Sequence, residues 1–360
     1  QHYPPRDACP KCLSCEIALA DADNRGQLAA ATIVDVATDP YFSERTPWRI
    51  GTIVLQAGPS VVAHLHQDCV AGEQVRLFWR LDRSSNAVAF AEPLEGTPDM
   101  ADDSQLREMT NDPKFRRVLI TDGRASTALP LAKAFAEAGS TIIFVGVADP
   151  WKPFANAERL KAIPGVEIVP LDLTDTASVS EVASDIGARV DILVNTAEHI
   201  RPGGFMERTG VTLAREEMEV GYLGLMRLAQ AFGPVMQFRG ADGVASACAW
   251  VNLLSIYALK PWPAYSAYSA AQAALLSAAL SLRADLGHAG VRVVNVFCGP
   301  TDSDWFQTLP PPKVAPGQIA KAVVDALKRG IEDIYVGDIA EDFRARLAKN
   351  PKALERELGQ

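Results

Sequence analysis

The sequence predicts an α/β chain built on a doubly wound parallel sheet and preceded by a small all-β domain. Two observations carry that expectation. From Arg117 onward, apolar runs of strand length alternate with segments whose apolar positions recur at helical spacing, the pattern of repeated βαβ units. Before residue 93 the pattern is different: short β-prone runs follow one another between Gly, Pro, Ser and Asp. A length of 360 residues accommodates two such domains.

Near the start stands Cys9-Pro10-Lys11-Cys12, two thiols on a tight turn at the spacing with which a zinc knuckle supplies half of a tetrahedral site. Cys15 offers a third thiol, zinc needs a fourth ligand, and plain free thiols on a loop are the alternative. Strand-like runs then cover 28–36, 48–55, 61–65, 74–80 and 87–90. His64 and His66 fall on one face of the third run, either as metal ligands or, more ordinarily, as part of a solvated strand face. Residues 93–114 carry Pro93, Gly96, Pro98, Asp102, Asp103 and Pro113 without a sustained period and read as a linker. The predicted domains are therefore 1–92 and 115–360, joined by 93–114.

The second domain opens with a strand at 118–121, an amphipathic helix at 127–138 and a strand at 141–145. A strand at 166–171 follows, then a helix on which Val179, Val182, Ala183 and Ile186 share a face, then a strand at 191–195. Next come a long helix near 211–232, a strand at 250–254, an alanine-rich helix at 266–286 and a strand at 291–297. A helix at 319–327, a last strand at 333–336 and polar helices complete the chain.

The formal net charge of −9, with no basic run, argues against nucleic acid as a partner. No apolar stretch reaches the roughly 20 residues of a membrane span and no charged-then-apolar leader opens the sequence, so a soluble, cytoplasmic protein is expected. Three cysteines cluster and three are scattered, which is not the spacing of a disulfide framework.

The N-terminal order, Pro4-Pro5-Arg6 and the Cys9/Cys12 knuckle followed by strands with Pro47-Trp48-Arg49-Ile50-Gly51 and Ala71-Gly72-Glu73-Gln74-Val75, resembles the acyl-CoA-associated family that joins a zinc ribbon to an OB-fold. The resemblance covers 1 to about 92. It implies CoA-thioester metabolism, with this domain binding an acyl chain or serving a partner such as a thiolase or aldolase.

In the second domain, Asp172-Leu173-Thr174-Asp175, the run Asp191-Ile192-Leu193-Val194-Asn195, Ser255 thirteen residues before Tyr268, and Gly299-Pro300 together resemble a short-chain dehydrogenase/reductase over 115 to about 340. The resemblance implies a Rossmann-type sheet, hydride transfer between NAD(P) and an alcohol or ketone, and assembly through the two long helices. In that family Ser255 would polarise the carbonyl and Tyr268 would pass it a proton.

Around these two residues the family pattern is broken. The glycines of Thr-Gly-x-x-x-Gly-x-Gly are replaced by Asp122, Ser126 and Ala128 in Thr121-Asp122-Gly123-Arg124-Ala125-Ser126-Thr127-Ala128. A carboxylate about 4 Å from a phosphate at an effective dielectric of about 20 costs roughly 4 kcal/mol, about a thousandfold in affinity. Arg124 would offset part of this, and Gly123 could serve a shifted turn. Asp172 and Leu173 match the family's adenine contacts, with a plain capping role for Asp172 equally natural. Asn195-Thr196-Ala197-Glu198 keeps the first asparagine of Asn-Asn-Ala-Gly and puts an acid at its glycine, while Gly221 replaces the asparagine that orders a relay water. Gln272 stands where the catalytic lysine belongs. An ammonium about 5 Å from the phenol would favour the phenolate by roughly 3 kcal/mol, and a neutral amide cannot.

The combined resemblance implies a non-catalytic or weakly catalytic chain in a hetero-oligomeric NAD(P)-dependent hydroxyacyl-CoA dehydrogenase, paired with an active short-chain dehydrogenase subunit. The hydroxybenzylsuccinyl-CoA dehydrogenases of anaerobic toluene breakdown are such an arrangement. An active hydroxyacyl-CoA oxidoreductase with an atypical site and an accessory subunit of a thiolase or aldolase are the alternatives. Loss of NAD(P) binding by this chain is expected, and zinc is the other candidate group.

Overall fold

A computed structural model describes residues 6–18, 21–83, 86–98, 100, 103–241 and 246–359. The chain forms two compact units, Gln1–Thr110 and Asn111–Gln360.

The first unit is a closed barrel. It comprises β1 (Arg25–Val34), the short helix α1 (Pro40–Ser43), β2 (Trp48–Leu55), β3 (Ser60–Leu65), β4 (Gln74–Leu81), β5 (Ala87–Pro93) and α2 (Ser104–Met109). The strand order β1-β2-β3-β5-β4 closes through antiparallel pairing of β1 with β4. Alternate residues point inward, so Leu28, Ile53, Val61, Ala63, Leu65, Val75 and Leu77 fill the interior. Gly51 is needed there, since a Cβ would lie 2.6 Å from the Leu28 methyl and 2.7 Å from the Ala30 carbonyl.

Two expectations for this unit change. His64 and His66 do not lie on a solvated face: His66 is fully buried, and His64 accepts the Trp48 indole N–H at 2.7 Å while stacking on Phe42. The expected linker contains α2, whose first turn is capped by Asp103 at 2.7 Å from the Leu106 amide. Met109 packs with Trp48 and Phe90, and Glu108 lies 3.1 Å from Arg45 and 3.5 Å from Arg83, so residues 103–110 are part of the first unit. The zinc expectation concerned Cys9 and Cys12. The chain does turn at Cys9 and Cys12, with Leu13 in the left-handed region and its amide bonded to the Cys9 carbonyl. Among the described residues no group of three or more His, Cys, Asp or Glu side chains is placed to hold a metal, so zinc at Cys9 and Cys12 is not shown. Pro4 and Pro5 lie outside the described residues.

The second unit is the doubly wound sheet. In chain order it runs β6 (Arg117–Ile120), α3 (Ala128–Glu137), β7 (Ile142–Val147), α4 (Ala157–Lys161), β8 (Val166–Pro170), α5 (Thr176–Ile186) and β9 (Ile192–Asn195). It continues with α6 (Thr212–Met218), α7 (Gly224–Phe238), β10 (Ala249–Ser255), α8 (Ser266–Gly287) and β11 (Arg292–Cys298). The last elements are α9 (Pro316–Arg329), β12 (Asp333–Val336), α10 (Asp338–Lys349) and α11 (Pro351–Leu358). All neighbouring strands are parallel, in the order β12-β11-β10-β9-β6-β7-β8. Such a sheet is buried on both faces. Phe232, Leu228, Leu275 and Leu282 from α7 and α8 cover one side, and Leu131, Phe135, Val323 and Leu327 from α3 and α9 cover the other. The strand order reverses between β6 and β9, and the crevice beyond their carboxyl ends is where such sheets place ligands.

The long helix near 211–232 is not continuous. Between α6 and α7 the chain makes a π-helical turn, Glu219–Leu223, centred on Gly221.

Candidate functional site

The crevice is stitched by two threonines at the ends of β6 and β9. The Thr121 hydroxyl accepts the Thr196 amide at 3.0 Å and donates to Asn195 Oδ1 at 3.3 Å, while the Thr196 hydroxyl accepts the Asp122 amide at 3.0 Å. Asn195 also accepts the Ala197 amide at 3.4 Å, so its side chain holds the turn that presents Glu198.

Ser255 ends β10, and Tyr268 and Gln272 occupy successive turns of α8, all three buried. The Gln272 amide oxygen accepts the Ser255 backbone N–H at 2.9 Å. The residue at the lysine position is therefore a buried tie between α8 and β10. The Tyr268 hydroxyl donates to Glu198 at 3.3 Å. Burial and then the Glu198 charge hold the Tyr268 phenol well above its ordinary pKa, with the nearby Ser255 hydroxyl opposing them. Burial pushes the Glu198 carboxyl up to about 7, opposed by the Tyr268 hydrogen bond and assisted by the charge of Asp122. A catalytic lysine pulls a tyrosine toward its anion; here a carboxylate pushes it the other way.

The remaining predicted positions have structural partners. Asp122 carries a raised pKa because it is buried, and it accepts the Arg124 amide at 2.8 Å. Gly123 is packed against β7, where a Cβ would come within 2.7 Å of Val145 and 2.9 Å of Val147. Arg124 turns away to the Asp149 carbonyl at 3.1 Å. Asp172 accepts the Thr174 amide and hydroxyl at 2.9 Å and 2.7 Å, a local turn ahead of α5, and Leu173 is buried against Gly224. Gly221 is different: a Cβ there would meet nothing within 4 Å, so the room for a side chain remains while the side chain is gone.

Sequence reasoning missed the residues that close the site. Cys298 and Phe306, from β11 and the segment after it, line the same cavity as Glu198, Ser255 and Tyr268. Phe306 is buried with its ring centroid 6.4 Å from Tyr268 and 5.7 Å from Tyr265, and Trp305 packs on His199 and Arg201. The aromatic pair Trp305-Phe306 soon after Gly299-Pro300 was the available signal. What is left is a cavity of about 30 Å³. That is room on the scale of a single water, whereas small-molecule sites commonly offer about 300–1,000 Å³.

Residues 123–335 match the family described as Enoyl-(Acyl carrier protein) reductase. The chain belongs to the short-chain dehydrogenase/reductase family. Residues 20–80 match the C-terminal OB-fold domain of ChsH2. An uncharacterised oxidoreductase of Mycobacterium tuberculosis is 31% identical over 252 residues, covering 64% of this chain and 70% of that protein. The 1-deoxy-11-beta-hydroxypentalenate dehydrogenase of Streptomyces avermitilis is 29% identical over 256 residues, covering 67% and 91%. Among solved structures, a short-chain dehydrogenase from Burkholderia cenocepacia in complex with NADP superposes with a TM-score of 0.62 at 30% identity, over 69% of this chain and 98% of that one.

Against the dinucleotide that this family suggests, the residues present fit poorly. Burial raises the proton affinity of both Asp122 and Glu198, and the charge of Asp122 adds to the rise at Glu198, on the edge where the family would seat a pyrophosphate and a nicotinamide. No cationic side chain is among the residues that line the small cavity beside Glu198.

Proposed function

We propose that this chain is a non-catalytic or weakly catalytic short-chain dehydrogenase subunit, which assembles with an active dehydrogenase subunit acting on hydroxyacyl-CoA thioesters. The observation that carries the reading is the reversal at Tyr268. Its hydroxyl donates to a carboxyl instead of standing beside an ammonium, and Gln272 is spent on the Ser255 backbone. A phenol held in its neutral form cannot take the proton from an alcohol during oxidation. The CoA-thioester class rests on the likeness of the N-terminal unit to OB-fold domains that accompany CoA-thioester enzymes. Assembly and acyl-CoA or partner binding are then what the chain contributes, with aromatic-compound degradation a fitting setting for such a complex.

The experiment is a fluorescence titration of the purified chain with NADH and NADPH, alone and with the dehydrogenase that co-purifies. Under this reading the isolated chain shows no micromolar binding and no turnover, and activity resides in the complex. Micromolar binding with turnover by the isolated chain would establish the second reading, an active hydroxyacyl-CoA oxidoreductase, for which the retained Ser255 and Tyr268 speak.

A further inference from the structure

A groove of about 490 Å³ runs between α3 and α9, on the opposite side of the sheet from α7 and α8. Its floor is made of small or apolar residues, including Ala134 from α3, Ala138 just after it, and Gly317 and Ala320 from α9. Along α9 the lining positions run from Gly317 to Lys328 at spacings of three and four, one helical face about 16 Å long.

The groove's charge is opposite to that of the chain. Lys133, Lys321 and Lys328 rim it together with Arg159, against the two acids Glu137 and Asp325, while the whole chain carries −9. Several lysines elsewhere pair: Lys152 with Asp149, Lys161 with Glu158, and Lys260 and Lys352 with Glu355. Lys133, Lys321 and Lys328 are exposed and form no salt bridge among the described residues, and Arg159 is bonded only to the neutral Asn156 amide. An acidic chain that keeps unpaired lysines along one apolar groove has a local field that attracts anions.

We propose that this groove docks an acidic, amphipathic helix of a protein partner. Lys321 and Lys328 are seven residues apart, about 10 Å along the helix, too far for one phosphate group to bridge but matched by carboxylates two turns apart on a facing helix. The small floor residues let a helix backbone come close, and the rim lysines set its register.

The test uses the full chain and a fluorescein-labelled synthetic helix about three turns long, with glutamates along one face and leucines beside them, read by fluorescence anisotropy. Saturable, salt-weakened binding is expected, reduced at least about tenfold by Lys321→Glu with Lys328→Glu. Gly317→Leu supplies a second variant. A Cβ at Gly317 meets nothing within 4 Å, so the leucine fills the groove without disturbing the core, and it should abolish binding with an unchanged melting curve. Equal binding of a scrambled peptide of the same composition would overturn the proposal, as would undiminished binding to Gly317→Leu. Displacement by tripolyphosphate at the peptide's own affinity would make this a small-anion site. A changed oligomeric state of Gly317→Leu in light scattering would give the groove to a second copy, and either result also overturns it.

Discussion

The two ends of β9 treat a carboxylate in opposite ways. At the amino end, Asp191 is buried between Arg117 at 2.8 Å and Arg239 at 2.5 Å and also accepts the Arg117 amide at 2.8 Å. Just past the carboxyl end, Glu198 has a phenol and the charge of Asp122 for company. The first acid is fully compensated and ties three elements together. The second keeps its charge only at a cost, which is the signature of a position shaped by something other than stability. In an open parallel sheet the carboxyl edge is where ligands bind, so the contrast places the poorly compensated acid at the binding edge and the well compensated one at the foundation.

Removing Asp191 should have the largest effect. Asp191→Ala leaves the buried Arg239 guanidinium and the partly exposed Arg117 without their shared counter-charge and is expected to cost about 3–5 kcal/mol in urea unfolding. A loss below about 1 kcal/mol would mean that the amino edge is not the better-compensated one.

Glu198 should produce a smaller effect that depends on pH. Its folded pKa of about 7 lies above the ordinary 4.5, so between these values the folded chain holds a proton that the unfolded chain releases. Stability therefore falls as pH rises through this window, by up to about 3 kcal/mol. Unfolding curves from pH 4 to pH 8 should show that slope in the native chain and its loss in Glu198→Gln. Parallel profiles for the two proteins would contradict it.

The smallest effect concerns the phosphate turn. Asp122→Gly removes one carboxylate and should strengthen NADPH binding at least about tenfold, read by fluorescence enhancement, with Glu198→Gly adding to it. No gain from the pair would show that these two charges do not govern dinucleotide binding.

Much of the fold was legible. Unbroken apolar runs and the period-3.6 pattern placed the strands and helices of the sheet, because strand residues such as Val118, Leu119, Ile143, Val194 and Val294 are buried with the sheet covered on both faces. The helix inside 93–114 escaped because α2 is only six residues long and owes its place to Met109 and Glu108, whose partners Trp48, Arg45 and Arg83 are distant in sequence. The loss of family groups at Gln272, Gly221 and Glu198 was visible residue by residue. Where those groups turned instead was not: neither the Gln272 bond to Ser255 nor the Glu198 contact with Tyr268 follows from spacing, since each joins elements brought together only by the sheet. Gly123 shows the same limit, a glycine that reads as a phosphate contact and packs on β7.

The wide turn at Glu219–Leu223 has its own consequence for how such a chain can change. A helix carrying one extra residue in a single turn cannot shed it without rotating everything beyond by about 100°. That rotation would swing Leu225, Leu228, Phe232 and Met236 off the sheet. The irregularity at Gly221 is thus locked in by the hydrophobic face that follows it, whichever side chain stands at its centre.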